Sequence, residues 1–158
     1  MVRPGSMRAR RVEVSEQTDA LAGASYASAF EVASPRADAR SAEQWARAAF
    51  EHAPVALRSA VLVGWRGVLG LRLGPRQSAA HVLGWTIVRQ ARDSIVLEAR
   101  SPLLTARKVV RVESSRVVMT TFVRYERRAG RAVWAAVAPV HHRTEPWLLA
   151  HATSQGPS

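Results

Sequence analysis

The stretch Gly130–Leu149, GRAVWAAVAPVHHRTEPWLL, decides the fold because it returns the chain to a helical pattern after a series of strands. Val133, Trp134 and Val137 recur at a spacing that places their side chains on one face of a helix. Pro139 is expected to end or kink this helix, because the proline ring clashes with the carbonyl group four residues earlier. The pattern resumes after it, so the sequence predicts a C-terminal helix in two parts.

Four strand-like runs precede this helix. They are Val82–Arg89, Ile95–Arg100, Arg107–Glu113 and Arg116–Glu126. The links 91–93 and 114–115 are short enough for hairpins, which predicts mostly antiparallel pairing. In the last run, Thr121 lies on one face of the strand and Phe122 on the other, because successive side chains of a strand alternate.

The residues before these runs predict one more strand and two short helices. Alternate residues from Tyr26 to Val32 share one face of a strand. Ser41 and Gln44 have the spacing of a capping box and begin a helix that ends at Pro54. A second helix follows, with apolar residues every fourth position from Leu57 to Leu69. Its glycines at 64, 67 and 70 are expected to pack closely against another backbone, because glycine otherwise weakens a helix.

This order of elements is typical of an α+β domain in which a curved antiparallel sheet wraps a C-terminal helix, the helix-grip arrangement. A chain of 158 residues suits one such domain. We predict a single domain over residues 23–153, a flexible basic arm over 1–22 and a disordered tail over 154–158. Met7 is an alternative start to Met1.

The composition excludes several classes of protein. Cysteine is absent, so the sequence can form no disulfide, thiolate nucleophile or thiolate zinc site, and we expect a cytoplasmic protein. The longest apolar run, Ala132–Val140, is too short to span a bilayer. No set of ligands has the spacing of a metal site, and we expect neither a metal nor a cofactor.

The net charge of +11 could indicate a partner such as nucleic acid or an anionic membrane. However, Lys108 is the single lysine among 23 basic residues, and alanine is also abundant. A GC-rich bacterial genome produces this composition without selection for a ligand. Nucleic acid is therefore not the expected partner, and the oligomeric state is left open.

A family resemblance is carried by residues near the C-terminal end. These residues are Thr121–Tyr125, Gly130, Arg131, Trp134, Pro139, His141, Pro146, Leu148 and Leu149. They resemble the signature of an uncharacterised domain family within the SRPBCC superfamily of START lipid carriers, polyketide cyclases and birch-pollen-allergen-like proteins. The family is similar to the C-terminal domain of some NmrA-like NAD(P)-binding proteins. The resemblance implies a helix-grip fold with an apolar cavity, and it supplies no established catalytic residues.

Six residues are candidates for the wall of such a cavity. They are Trp65, Trp85, Phe122, Tyr125, Trp134 and His141. The alternative is that the aromatic residues form only a packed core. If they point inward, Glu98, Glu113 and Arg124 could anchor the polar end of a ligand, although charges on strands usually face water.

His141 and Tyr125 are the candidates for proton transfer. His141 could hydrogen-bond a ligand or act as a general base, with Glu145 as the only carboxylate near it in sequence. The alternative is that His141 ties the kinked helix to a strand backbone. His141 and His142 are adjacent and point in different directions on a helix, so they are not expected to share a metal.

The sequence therefore predicts a domain that binds a hydrophobic small molecule or lipid between sheet and helix. One alternative is a cyclase- or dehydratase-like enzyme acting on a polyketide-like substrate. The other is a basic interaction module for nucleic acid or an anionic membrane.

Overall fold

The structure is a computed structural model that describes residues 8–15 and 19–155. It has the α+β architecture that the sequence predicted. Eight antiparallel strands form one sheet with the order β1-β2-β8-β7-β6-β5-β4-β3. The strands are β1 (Arg10–Val12), β2 (Tyr26–Ala33), β3 (Gln77–Ser78), β4 (His81–Val82), β5 (Trp85–Gln90), β6 (Ser94–Arg100), β7 (Leu104–Val112) and β8 (Arg116–Tyr125). The helices are α1 (Ala42–Phe50), α2 (Val55–Val63) and α3 (Arg128–Thr153), with a π-helical turn over Gly64–Val68.

One face of the sheet packs against the helices, and we call it the inner face. The predicted alternation along β8 is confirmed, since Met119 and Val123 join the main core while Phe122 belongs to a separate cluster on the outer face. The hairpins predicted at 91–93 and 114–115 are also confirmed, because β5 pairs with β6 and β7 pairs with β8. The sheet thus has a packed inner face and a second, smaller apolar cluster outside it.

Helix α1 begins with the predicted capping box. The Ser41 hydroxyl accepts a hydrogen bond from the Gln44 backbone N–H, and the Gln44 side chain accepts one from the Ser41 N–H. Trp45 is buried in the core, and its indole N–H donates to the Ala37 carbonyl. The capping box therefore fixes the start of α1, and α1 covers the middle of the sheet.

The second predicted helix consists of α2 followed by the π-helical turn, and the expected role of its glycines is wrong. A Cβ added at Gly64 or Gly67 would meet no atom within 4 Å, so these glycines do not pack against a backbone. Gly70 has a φ of +67°, the left-handed region that side chains avoid, so it ends the segment with a turn. The glycines therefore permit a change of helix type and a turn.

Helix α3 runs without a break through both prolines over 26 residues. Of the two effects that the sequence predicted for Pro139, an end or a kink, the end does not occur. Pro139 and Pro146 cannot donate to the carbonyl groups four residues earlier, those of Ala135 and His142. Packing of the apolar face of α3 on α1 and β2 outweighs these two lost hydrogen bonds.

The predicted flexible arm is contradicted at two places, although residues 1–7 and 16–18 of it lie outside the described residues. Arg10–Val12 pairs with β2 as an edge strand. Further along, Leu21 packs with Val96, Val109 and Phe122 on the outer face of the sheet. The sequence did not reveal this packing, because a small cluster needs only a few apolar residues to cover it. Of the predicted tail, 156–158 lie outside the described residues.

Among the described residues, no helix is both long enough and apolar enough to cross a membrane.

Replacing Gly130 with alanine is expected to destabilise the fold. A Cβ at this position would overlap the backbone carbonyl of Leu103, and a backbone atom cannot rotate away. We expect Gly130→Ala to lower the free energy of unfolding by about 1–3 kcal/mol, measured by urea denaturation. The control is Gly67→Ala, which meets open space and should change stability by less than about 1 kcal/mol. Equal denaturation midpoints for the two variants would contradict this account.

Candidate functional site

A cavity of about 210 Å³ lies between the inner face of the sheet, α2 with its π-helical turn, and α3. Phe50, Trp65, Trp85 and Trp134 form aromatic parts of its wall. Trp65 contacts Phe50 and Trp85, with ring centroids 5.8 and 5.3 Å apart. The wall is therefore mainly apolar, as in most ligand pockets.

The polar part of this wall is a cluster of four side chains, Lys108, Thr121, His141 and Glu145, which we call the polar cluster. Lys108 Nζ lies 2.7 Å from Glu145 Oε1 and donates to Thr121 Oγ1 at 3.0 Å. Thr121 Oγ1 donates to the Glu145 carboxylate at 2.9 Å, and His141 Nε2 lies 2.6 Å from Glu145 Oε2. Glu145 is thus held by three side chains.

The fold brings these four residues together from three elements. Lys108 on β7 and Thr121 on β8 are directly paired in the sheet, so both side chains project from the inner face. Glu145 and His141 are four residues apart on α3, so they occupy the same face of that helix. The polar cluster therefore forms only when α3 lies on the sheet.

The Glu145 carboxylate is 2 % exposed. Burial by itself raises the pKa of Glu145, because a charge is costly away from water. The positive charges of His141 and Lys108, and their hydrogen bonds, outweigh burial and lower the pKa to about 2. Glu145 is therefore an anion in an apolar surrounding.

A second hydrogen-bonded chain lies beside the polar cluster. Tyr26 donates to Ser28 Oγ at 2.9 Å, and its hydroxyl lies 2.5 Å from His142 Nε2. Burial raises the pKa of Tyr26, and burial with the nearby charges of Arg11 and His141 lowers the pKa of His142. The adjacent histidines thus face different partners.

Ser28, His141 and Glu145 do not form a nucleophilic triad. Ser28 Oγ lies 3.5 Å from His141 Nε2, and Glu145 contacts the same nitrogen at 2.6 Å. A triad needs the serine and the carboxylate on different ring nitrogens, so that the base can take the hydroxyl proton. This arrangement therefore lacks the geometry that acyl transfer by a serine nucleophile requires.

A family model described as "Protein of unknown function (DUF2867)" matches residues 20–145, which is most of the chain. The chain belongs to this family. The matched range begins at the segment on the outer face of the sheet and ends at Glu145, so it includes the whole polar cluster. No curated protein and no solved structure matches the chain.

The DUF2867 structure brings four of the six predicted wall residues to the cavity. They are Trp65, Trp85, Trp134 and His141. Phe122 is on the outer face of the sheet, so it does not line the cavity. Tyr125 packs against the main core at the end of β8 and is not part of the cavity wall. Of the two candidates for proton transfer, His141 therefore lines the cavity and Tyr125 does not.

The three predicted polar anchors lie away from the cavity of the DUF2867 domain. Glu98 is held by Arg100 and Arg107 at 2.7 and 2.9 Å, and these interactions lower its pKa although burial raises it. Glu113 pairs with Arg116 at an exposed turn. Arg124 pairs with Glu126 and donates to the Ala22 carbonyl. Strand alternation places Glu98 and Arg124 on the outer face.

Sequence reasoning missed Lys108 and Thr121 as site residues, and it named Glu145 only as the carboxylate near His141 in sequence. Two signals pointed to them. Lys108 is the only lysine in an arginine-rich chain, and Glu145 lies one helical turn after His141. His141 contacts the side chain of Glu145, instead of forming the expected hydrogen bond to a strand backbone. No group of side chains suited to a metal ion occurs in the part of the chain that the structure describes.

Removing one member of the buried pair in this DUF2867 domain should be costly. We expect Lys108→Met to lower the free energy of unfolding by about 3–5 kcal/mol, because Glu145 loses its closest ammonium. The double variant Lys108→Met, Glu145→Met should recover most of this loss. Urea denaturation measures both variants.

The control for this prediction is Arg100→Met. The Arg100 side chain is 71 % exposed, so its pair with Glu98 is screened by water and its loss should cost less than about 1 kcal/mol. A Lys108→Met loss no larger than that of Arg100→Met would contradict the account of a buried pair.

The stabilising effect of Glu145 should depend on pH. Its pKa falls from the ordinary 4.5 to about 2 on folding, so its contribution is fully present above 4.5 and is lost as the pH falls to about 2. The difference in unfolding free energy between the wild type and Glu145→Gln should shrink over this window. Denaturation titrations at several pH values measure this difference. A difference that stays constant from neutral pH to pH 2 would show that the pKa of Glu145 is not lowered.

Proposed function

We propose that this DUF2867 domain binds a small apolar molecule that carries an oxygen acceptor. The observation that carries this proposal is the unused hydrogen-bonding capacity of Lys108. An ammonium has three N–H donors, and Lys108 has two protein acceptors among the described residues, Thr121 and Glu145. Its side chain is buried and lines the cavity, so a ligand oxygen is a suitable third acceptor.

Two further donors favour a ligand with polar atoms. The indole N–H groups of Trp85 and Trp134 are buried and have no acceptor within the described residues. Both residues line the cavity. Because buried donors are normally satisfied, such groups require an explanation, and a bound acceptor would supply one.

The cavity volume limits the size of the ligand. A cavity of 150 Å³ can hold benzene, and drug-sized pockets span roughly 300–1,000 Å³. At about 210 Å³, this cavity suits a single ring or a short chain better than a two-chain lipid. The broader expectation of a lipid ligand is thereby narrowed to compounds of this size.

The entrance is formed by α2 and α3. Ala60 on α2 and Val140 on α3 line the cavity and are also exposed, so the cavity reaches the surface between them. Gly64, the first residue of the π-helical turn, lies at the same wall. π-Helical turns occur frequently at functional sites, which agrees with an entrance at this place.

The enzyme alternative is supported by the contact of His141 with Glu145. A histidine that lines a cavity and contacts a carboxylate can exchange protons with a bound substrate. A cyclase- or dehydratase-like reaction uses this chemistry, and the resemblance to the SRPBCC superfamily is consistent with either function. The binding function and the enzyme alternative both require a molecule to bind in this cavity.

The interaction-module alternative finds less support. Many of the arginines lie in ion pairs with carboxylates, among them Arg47, Arg107 and Arg116. Paired arginines have less charge to offer a phosphate backbone. A cytoplasmic location, which we also propose, is compatible with each of these functions.

Binding can be tested with benzyl alcohol, a single ring with one hydroxyl acceptor. We expect it to raise the midpoint of thermal unfolding and to change tryptophan fluorescence. Ala106 lines the cavity, so Ala106→Leu should fill part of it and weaken binding by about tenfold or more.

The matched control for this test is Val88→Leu. Val88 is half-exposed on β5 and is not part of the cavity wall, so this variant should bind like the wild type. Absence of binding to the wild type, or equal weakening by both substitutions, would reject binding in this cavity.

A further inference from the structure

Lys108 combines a sequence feature with a structural one. All other basic residues that are not histidine are arginine, so the amine occurs at one side chain only. That side chain is 4 % exposed and lines the cavity. An arginine can replace a lysine in an ion pair, but its guanidinium remains protonated and cannot act as a nucleophile. Lysine thus occurs at a single position in the sequence, and at that position its amine reaches the cavity.

The apolar part of the surroundings of Lys108 resembles the pockets in which lysine amines react with carbonyl groups. Lysine amines in apolar pockets form Schiff bases with carbonyl substrates. The Nζ atom lies 5.6 Å from the ring centroids of both Phe50 and Trp85. Apart from Thr121 and Glu145, its neighbours in the cavity wall are mainly apolar.

We propose that Lys108 forms a Schiff base with an aldehyde or ketone held in the cavity. This inference rests on the proposed binding function and names the ligand class, a small apolar carbonyl compound. The oxygen acceptor that Lys108 would contact first is then the carbonyl oxygen, and the carbon next to it is the atom that Nζ attacks.

The reaction needs no oxidant and no further reactant. One proton of the Lys108 ammonium passes to Glu145 Oε1, 2.7 Å away, and the free electron pair of Nζ forms a bond to the carbonyl carbon. The C–O bonds break as the nitrogen forms its double bond, and the oxygen leaves as water with two of the three ammonium protons. The remaining proton stays on the iminium nitrogen, so one positive charge is present before and after.

Glu145 supports each stage of this exchange. As a carboxylate, Glu145 pairs with the ammonium at the start of the reaction and with the iminium at the end. Its buried negative charge therefore has a positive partner in both states. The charge of Lys108 helps to keep the pKa of Glu145 low, and this effect is lost once Lys108 gives up a proton, while burial continues to raise the pKa. Glu145 can therefore hold that proton briefly and pass it from nitrogen to oxygen. His141 contacts the other carboxylate oxygen and lines the cavity, so it can pass a proton to the departing hydroxyl.

The Schiff base can be trapped in the wild-type protein. Benzaldehyde is the probe, and cyanoborohydride reduces any imine to a stable benzyl amine. Because the sequence has no other lysine, peptide mapping by mass spectrometry assigns a label on residue 108 without ambiguity. We expect one benzyl group at Lys108, and we expect benzyl alcohol to slow the labelling by occupying the cavity.

Two variants separate a built site from chance labelling. Glu145→Gln keeps the shape of the side chain and removes the proton acceptor, so labelling should be about 100-fold slower. Lys108→Arg keeps a cation beside Glu145 and should carry no label at position 108. If Glu145→Gln does not fold, His141→Gln takes its place, with slower labelling expected for the same reason.

The outcomes distinguish this inference from the binding function. Binding of benzyl alcohol without a label at Lys108 would overturn the Schiff base and leave the binding function intact. A label that forms as fast in Glu145→Gln as in the wild type, or that benzyl alcohol does not slow, would also overturn it. If benzyl alcohol does not bind and no label forms, both proposals fail.

Discussion

The buried contact between Lys108 and Glu145 fixes how α3 lies on the sheet. Both side chains are almost fully removed from water, and either charge alone would be costly there. A shift of α3 by one turn would leave Glu145 without the ammonium and the Thr121 hydroxyl. Apolar contacts are non-directional, whereas this charged contact requires its partner groups at fixed positions. The position of His141, one turn away on the same face, follows from it.

The cavity and the polar cluster depend on each other. A core filled with apolar side chains over this cluster would deprive the third N–H of Lys108 of any acceptor. Instead, large rings stand around the cluster and leave a space beside it. Trp134 reaches this space from α3 and Trp85 from the sheet, and each has an indole N–H without a protein acceptor among the described residues. Polar groups of Lys108, Trp85 and Trp134 thus occur in residues that line a mainly apolar cavity.

The two faces of the sheet differ in the charged residues that they carry. On the outer face, Glu98 lies between Arg100 and Arg107, and these arginines retain contact with water. On the inner face, Lys108 is the basic residue of the strands that reaches the cavity. The large net charge thus belongs mainly to the surface, while Lys108 places one amine in the cavity wall.

Local patterns in the sequence determined the order of the longer elements (β2, α1, α2, β5 to β8 and α3), the capping box at Ser41 and the alternation along β8, because each depends on neighbouring residues. They also indicated that Trp65 and Trp134 could line one cavity, and both do. They did not predict the short strands β1, β3 and β4. Tertiary structure alone decided that α3 continues through Pro139, since packing outweighs a local clash. It likewise placed Phe122 on the outer face and joined Lys108 to Glu145, 37 residues away. Such a pair leaves no periodic trace in a sequence, because its partners belong to different elements.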